Sequence, residues 1–191
     1  MTNLNIPNIL TLLRIALIPV LVFFYYLPVP WGHWVAVIIF VIAALTDWLD
    51  GYLARNLQQG TKFGSFLDPI ADKLIVAVAL VLVVGQLGSA YVAIPAAIIV
   101  GREIVISGLR EWMAEIGRRT SVAVSQIAKI KTIAQMLSLA ILLLYKPTSP
   151  LFLKLSGLFL LYVAAVLTLW SMVMYLKAAW PDLTLASTKD Q

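Results

Sequence analysis

Apolar residues run along this chain in six long blocks, roughly 10–27, 34–54, 66–86, 91–113, 122–145 and 151–176, parted by short polar connections. Each block has about the 20 residues that an α-helix needs to cross a bilayer. The pattern predicts an all-α integral membrane protein with six transmembrane helices. The polar and apolar residues before the first block are mixed. Asn5 or Pro7 can open a helix there, and Asn8, Thr11 and, less closely, Arg14 recur at helical spacing. That stretch predicts a short interfacial helix on the membrane surface ahead of the first span. No Lys or Arg precedes Arg14 and no small-residue cleavage site follows the first block, so the start is not read as a signal peptide. A single membrane domain is expected over 1–180, with 181–191 a poorly ordered tail.

Composition supports the same class. The chain is 62% hydrophobic and 12% charged, with mean hydropathy +0.96, against about 25% charged residues in an ordinary soluble domain. It has no cysteine, which removes disulfides, thiolate catalysis and Cys-based metal sites. Charge placement then orients the chain. The 55–65 connection carries Arg55 and Lys62. The 114–121 connection carries Arg118 and Arg119 and is flanked by Arg110, Lys129 and Lys131, and the tail carries Lys177 and Lys189. On the other side, 28–33 and 87–90 have no Lys or Arg, and 146–150 has only Lys146. The positive-inside rule puts both termini and the 55–65 end in the cytoplasm. Trp31 and Trp34 fit an aromatic belt at the outer end, and His33 between them is read as interfacial rather than catalytic.

Against this background four carboxylates stand out. Asp47, Asp50, Asp68 and Asp72 fall within 26 positions and make up four of the nine acidic residues. A carboxylate at membrane depth costs about 2.5–3.5 kcal/mol on insertion scales, a cost that divalent cations would offset. Asp47, Asp50, Gly51 and Ala54 share one helical face, and Gly64, Asp68 and Asp72 form an i, i+4, i+8 stripe on the next helix. The polar stretch 56–62 reads as a turn that folds one aspartate pair onto the other. An all-oxygen site without Cys or a nearby His suits Mg²⁺ or Mn²⁺ rather than Zn²⁺. Gly51 and Gly64 leave room for a ligand, or simply for close helix packing.

Taken continuously, Asp47-Trp-Leu-Asp50-Gly51-Tyr-Leu-Ala54-Arg55, eight residues, then Gly64-Ser-Phe-Leu-Asp68-Pro-Ile-Ala-Asp72 resembles the signature of the CDP-alcohol phosphotransferase family at all eight of its defined positions, with the right gap. The six-span pattern agrees with the fold of that family. Residues 5–14, 102–115 and 121–132 are similar to its phosphatidylglycerophosphate synthase branch, with Ala128 where that branch is expected to have glycine. The resemblance covers most of the chain up to about Gln135.

The resemblance implies transfer of the phosphatidyl group of CDP-diacylglycerol to sn-glycerol 3-phosphate with release of CMP, assisted by two Mg²⁺ or Mn²⁺ ions. Asp47, Asp50 and Asp68 are the natural ligands. Asp72 is implied to touch the metal site and to take the proton of the attacking hydroxyl. Asp50, Gly51, Ala54, Arg55 and Gly64, with Asn8 and Thr11, are the expected CDP-lipid contacts, and Arg55 can fork onto a phosphate. Arg110, Arg118, Lys129 and Lys131 are candidates for the acceptor's phosphate. Arg102 and Glu103 lie deeper and are read as a buried pair with Glu111 or the aspartate helices. A homodimer in the bacterial inner membrane is implied, with the active site cytoplasmic and no nucleic-acid partner. The rival readings are a divalent-cation transporter, a purely structural bundle, and the same chemistry on serine, inositol phosphate or phosphatidylglycerol. No through-going polar line supports the transporter, and the signature alone does not choose the acceptor.

Overall fold

The computed structural model describes residues 6–57, 62–115 and 126–187. They form six α-helices and no strand: α1 (Ile6–Tyr26), α2 (Gly32–Leu57), α3 (Lys62–Leu87), α4 (Ala90–Glu115), α5 (Gln126–Leu144) and α6 (Leu151–Ser187). Four contain stretches long and apolar enough to cross a membrane: Asn8–Tyr26, Phe66–Leu87, Ala90–Ala114 and Leu151–Trp180. Among the described residues, the apolar stretches of α2 and α5 run over Gly32–Asp47 and Ile130–Leu144.

One expected feature differs. The interfacial helix is not a separate element, because Ile6 to Arg14 are the first turns of α1 itself. Asn8, Thr11 and Arg14 are buried rather than laid on a membrane surface. Their polar face meets carboxylates on other helices instead of water. At the other end, α6 runs to Ser187.

The chain groups into two compact units. The first takes the described residues up to Leu87 together with Leu139–Ser156, and the second takes those of Gly88–Ser138 and from Gly157 onward. In the first, α1 packs against α2 and α3. The buried face of α1 is one stripe at steps of three and four: Asn8, Thr11, Arg14, Ile18, Leu21 and Tyr25. It is polar in its first half and apolar in its second. The facing stripes repeat this. Ala36, Phe40 and Ala43 on α2 lead to Asp47, and Val83, Ala79 and Ile75 on α3 lead back to Asp72 and Asp68. One seam therefore changes from hydrocarbon to carboxylate along its length.

The far end of that seam is closed by a second polar network. The Tyr25 hydroxyl donates to Gln86 Oε1, and Gln86 Nε2 donates to the Tyr145 carbonyl at 2.7 Å. His33 Nδ1 lies 2.8 Å from the Leu143 carbonyl, an acceptor, so Nδ1 carries the proton. Lys146 Nζ donates to the Pro30 carbonyl at 2.6 Å, which gives that cation a local partner. Gly88, at φ 53°, ends α3 in the left-handed conformation glycine tolerates. Ser89 caps α4 by accepting from the Tyr91 amide at 3.3 Å.

Candidate active site

At the polar end of the first unit, α1, α2 and α3 each contribute one turn or two. Arg14 on α1 is fully buried, and its Nη1 lies 3.2 Å from Asp47 Oδ1 and also donates to Asp72 Oδ1. Thr11, one turn earlier, is fully buried and donates its hydroxyl to Asp68 Oδ1. Asn8, a further turn back on the same stripe, is also buried. Three carboxylates from two helices thus converge on the polar stripe of a third. Their placement follows from helical periodicity: Asp68 and Asp72 are one turn apart on α3, and Asp47 continues the core stripe of α2. Pro69, between Asp68 and Asp72, cannot donate to the carbonyl four residues earlier. Transmembrane helices accommodate such a proline where neighbouring groups can serve the freed carbonyl.

The Asp47 and Asp72 side chains are 44% and 43% exposed, while that of Arg14 is 1% exposed. The carboxylates are therefore open on one side and backed by a buried cation on the other. All donors at the site are hard oxygens, three carboxylates and a hydroxyl, which suits Mg²⁺ or Mn²⁺. Among the described residues, no three acidic or histidine side chains gather closely enough to form a metal cage by themselves. Asp50, Gly51, Ala54 and Arg55 occupy the last turns of α2, with side chains outside the described set. Gly64 is buried in the first turn of α3.

The second unit holds the other predicted cations. Lys131 on α5 is buried, and its Nζ donates to Glu103 Oε1 on α4 at 3.2 Å. Arg102 Nη2 lies 3.1 Å from the same oxygen, out of hydrogen-bond alignment. Glu103 is thus the counter-ion of Arg102 and Lys131, where Glu111 or the aspartate helices were expected as partners. Three buried polar atoms of this cluster, Arg102 Nε and Nη2 and Gln135 Oε1, have no hydrogen-bond partner among the described residues. Arg110 is exposed on α4, with its guanidinium 5.3 Å above the Tyr175 ring centre and its Nε 3.3 Å from the Tyr175 hydroxyl. Lys129 lies in the first turns of α5, with its side chain outside the described set, and Arg118 lies outside the described residues altogether.

Sequence reasoning grouped the aspartates but did not pair Arg14 with them. The available signal was its spacing from Asn8 and Thr11. An arginine on the same face as two polar residues, in a chain with surplus carboxylates, has an internal partner to hand.

Comparison with known proteins gives the same assignment. The family model for CDP-alcohol phosphatidyltransferase matches residues 4–174. A protein of Escherichia coli K12 named CDP-diacylglycerol–glycerol-3-phosphate 3-phosphatidyltransferase is 56% identical over 179 residues, covering 94% of this chain and 97% of that relative. A protein of the same name from Yersinia pestis, strain Pestoides F, is 58% identical over 181 residues, covering 95% of this chain and 98% of the relative. The match spans α1 to α6 and includes every residue of the aspartate site, so this chain belongs to the CDP-alcohol phosphatidyltransferase family.

Proposed function

We propose that the protein transfers the phosphatidyl group of CDP-diacylglycerol to sn-glycerol 3-phosphate, forming phosphatidylglycerophosphate and CMP. The observation that carries this reading is the convergence of Asp47, Asp68 and Asp72 with Thr11 and Arg14 at one end of three apolar helices. A lipid pyrophosphate has its tails in hydrocarbon and its charge at the headgroup level. The seam of the first unit offers that same gradient.

In the proposed reaction, the 1-hydroxyl of glycerol 3-phosphate attacks the phosphorus that bears diacylglycerol. The bond from that phosphorus to the bridging oxygen breaks, and CMP departs with the bridging oxygen. When bound, two Mg²⁺ or Mn²⁺ ions would neutralise the pyrophosphate and stabilise charge on the departing CMP. Asp47, Asp50 and Asp68 are the proposed ligands, with Asp72 beside them. Asp72 takes the hydroxyl proton, and Thr11 orients Asp68. Asn8, Gly51, Ala54, Arg55 and Gly64 border the CDP moiety, small side chains letting it lie against the helices.

The acceptor's phosphate is assigned to Arg110, Arg118, Lys129 and Lys131. The buried Nε of Arg102, without a hydrogen-bond partner among the described residues, supports an anion in that unit, because a buried unpaired donor costs about 1–3 kcal/mol until it finds an acceptor. Tyr175 holds Arg110 by stacking and by its hydroxyl. The membrane placement proposed is a bacterial inner membrane, with both termini and the aspartates cytoplasmic and the chain paired as a homodimer.

The test is CMP release by purified protein supplied with CDP-diacylglycerol and one acceptor at a time. Release with glycerol 3-phosphate is expected, and release with serine, inositol phosphate or phosphatidylglycerol instead would replace the acceptor assignment. Turnover should stop in excess EDTA and return with Mg²⁺ or Mn²⁺. Full turnover in EDTA would sink the metal reading.

A further inference from the structure

Arg14 is an unusual neighbour for carboxylates that are to hold dications. Its charge repels them, and it is as buried as any residue in the protein. One nitrogen, Nη1, reaches Asp47 on α2 and Asp72 on α3 together. It therefore takes the bridging position between two helices that a shared cation would also favour. The carboxylates remain about 44% and 43% exposed on the side away from it. A cation arriving from the open side meets carboxylates already oriented from behind.

We propose that Arg14 is an internal counter-ion of the aspartate site, which holds Asp47 and Asp72 together in the metal-free protein and lowers the affinity of the site for divalent cations. This rests on the metal reading above and deepens it. Without Arg14, Asp47 and Asp72 lose the cation that they share. With it, one of their negative charges is offset and the two carboxylates it bridges are held together, so α1, α2 and α3 stay packed between turnovers. The same charge opposes the incoming dication, since a fixed positive charge a few ångströms away acts strongly at the low effective dielectric of a partly buried site. The residue acts through the carboxylates and is a positioning residue.

The experiment uses the full-length protein in detergent micelles and reads Mn²⁺ binding by the electron paramagnetic resonance signal of free Mn²⁺, together with thermal unfolding in EDTA and in saturating Mn²⁺. Arg14→Gln should bind Mn²⁺ about tenfold more tightly or better. Its unfolding temperature should drop in EDTA and recover in Mn²⁺, so the metal-induced shift exceeds that of the wild type. Arg14→Lys, which keeps the charge, should stay near wild-type affinity. Should Arg14→Gln fail to fold without metal, expression and purification in Mn²⁺ must rescue it. Equal or weaker Mn²⁺ binding by Arg14→Gln overturns the proposal, as does an equal loss of stability with and without Mn²⁺, or failure of Mn²⁺ to rescue. Absence of Mn²⁺ binding by the wild type would instead remove the metal reading beneath it.

Discussion

Asp68 and Asp72 stand one turn apart on α3, yet the structure gives them different partners: the hydroxyl of Thr11 for Asp68 and the guanidinium of Arg14 for Asp72. The proposed roles separate in the same way, and substitution by Asn should show it. Asp72→Asn should lower kcat by about 10²–10⁴-fold, the usual range for loss of a positioned base, with little change in either KM. Raised Mg²⁺ should not restore it. Asp68→Asn should weaken metal binding, so that raised Mg²⁺ restores part of its rate. Recovery of Asp72→Asn by Mg²⁺ would reduce Asp72 to a ligand. The acceptor side has a parallel contrast. Arg110 is exposed and held by Tyr175, so Arg110→Ala should raise the KM for glycerol 3-phosphate and leave the fold intact. Lys131 is buried against Glu103, so Lys131→Ala should also lower stability by leaving that carboxylate short of a cation. Kinetics and thermal unfolding of the two variants would distinguish these outcomes. The aspartates were legible in the sequence because carboxylates are costly in an apolar chain and their spacing is helical. Arg14 was not, because spacing shows that residues share a face and is silent about what the face meets.

The same gap explains the one misplaced element. Asn8, Thr11 and Arg14 form a polar stripe, and a polar stripe at a chain end reads as a surface helix. Here the stripe meets Asp68, Asp47 and Asp72, so the segment stays in line with α1 and the stripe is buried. Amphipathicity alone does not separate water from a polar partner. Helix existence was far easier to read, since each apolar block is long and its limits are turn residues. Packing at the limits is less visible in sequence. Gly32, the first residue of α2, is an example. A Cβ there would lie 2.6 Å from the Phe24 carbonyl oxygen and 3.1 Å from that of Leu27, both backbone atoms that cannot swing aside. Gly32→Ala should therefore destabilise the first unit by about 1–3 kcal/mol, the usual cost of overpacking. Gly85, inside α3, has open space around its missing Cβ, and Gly85→Ala should be tolerated. Thermal unfolding in one detergent compares them, and an equal loss in both would contradict the packing argument.

Among the described residues, four stretches are long and apolar enough to cross a membrane, and those of α2 and α5 are shorter. The contacts of the first unit argue for more. Thr11 with Asp68, and Arg14 with Asp47, fix the start of α1, the end of α2 and the start of α3 at one level. Tyr25 with Gln86 fixes the ends of α1 and α3 at another. Two helices that start together and end together must be joined by a segment that returns, so α2 crosses whatever α1 and α3 cross. Similarly, Gln86 with Tyr145 and Pro30 with Lys146 place the end of α5 at the level of the α1–α2 connection. This argues that α2 crosses with α1 and α3, with the aspartates on the side of the N-terminus; six crossings in all is the expectation that labelling tests. The absence of native cysteine makes a direct test simple. Single cysteines at Gln59, Thr148 and Ser187 would be exposed to a membrane-impermeant thiol reagent in sealed vesicles of either orientation. Gln59→Cys and Ser187→Cys should label only in inverted vesicles, and Thr148→Cys only in right-side-out ones. If Gln59 and Thr148 labelled from the same side, α2 or α5 would not cross as argued. If the pattern were reversed throughout, the crossings would stand and the cytoplasmic placement of the aspartates would fall.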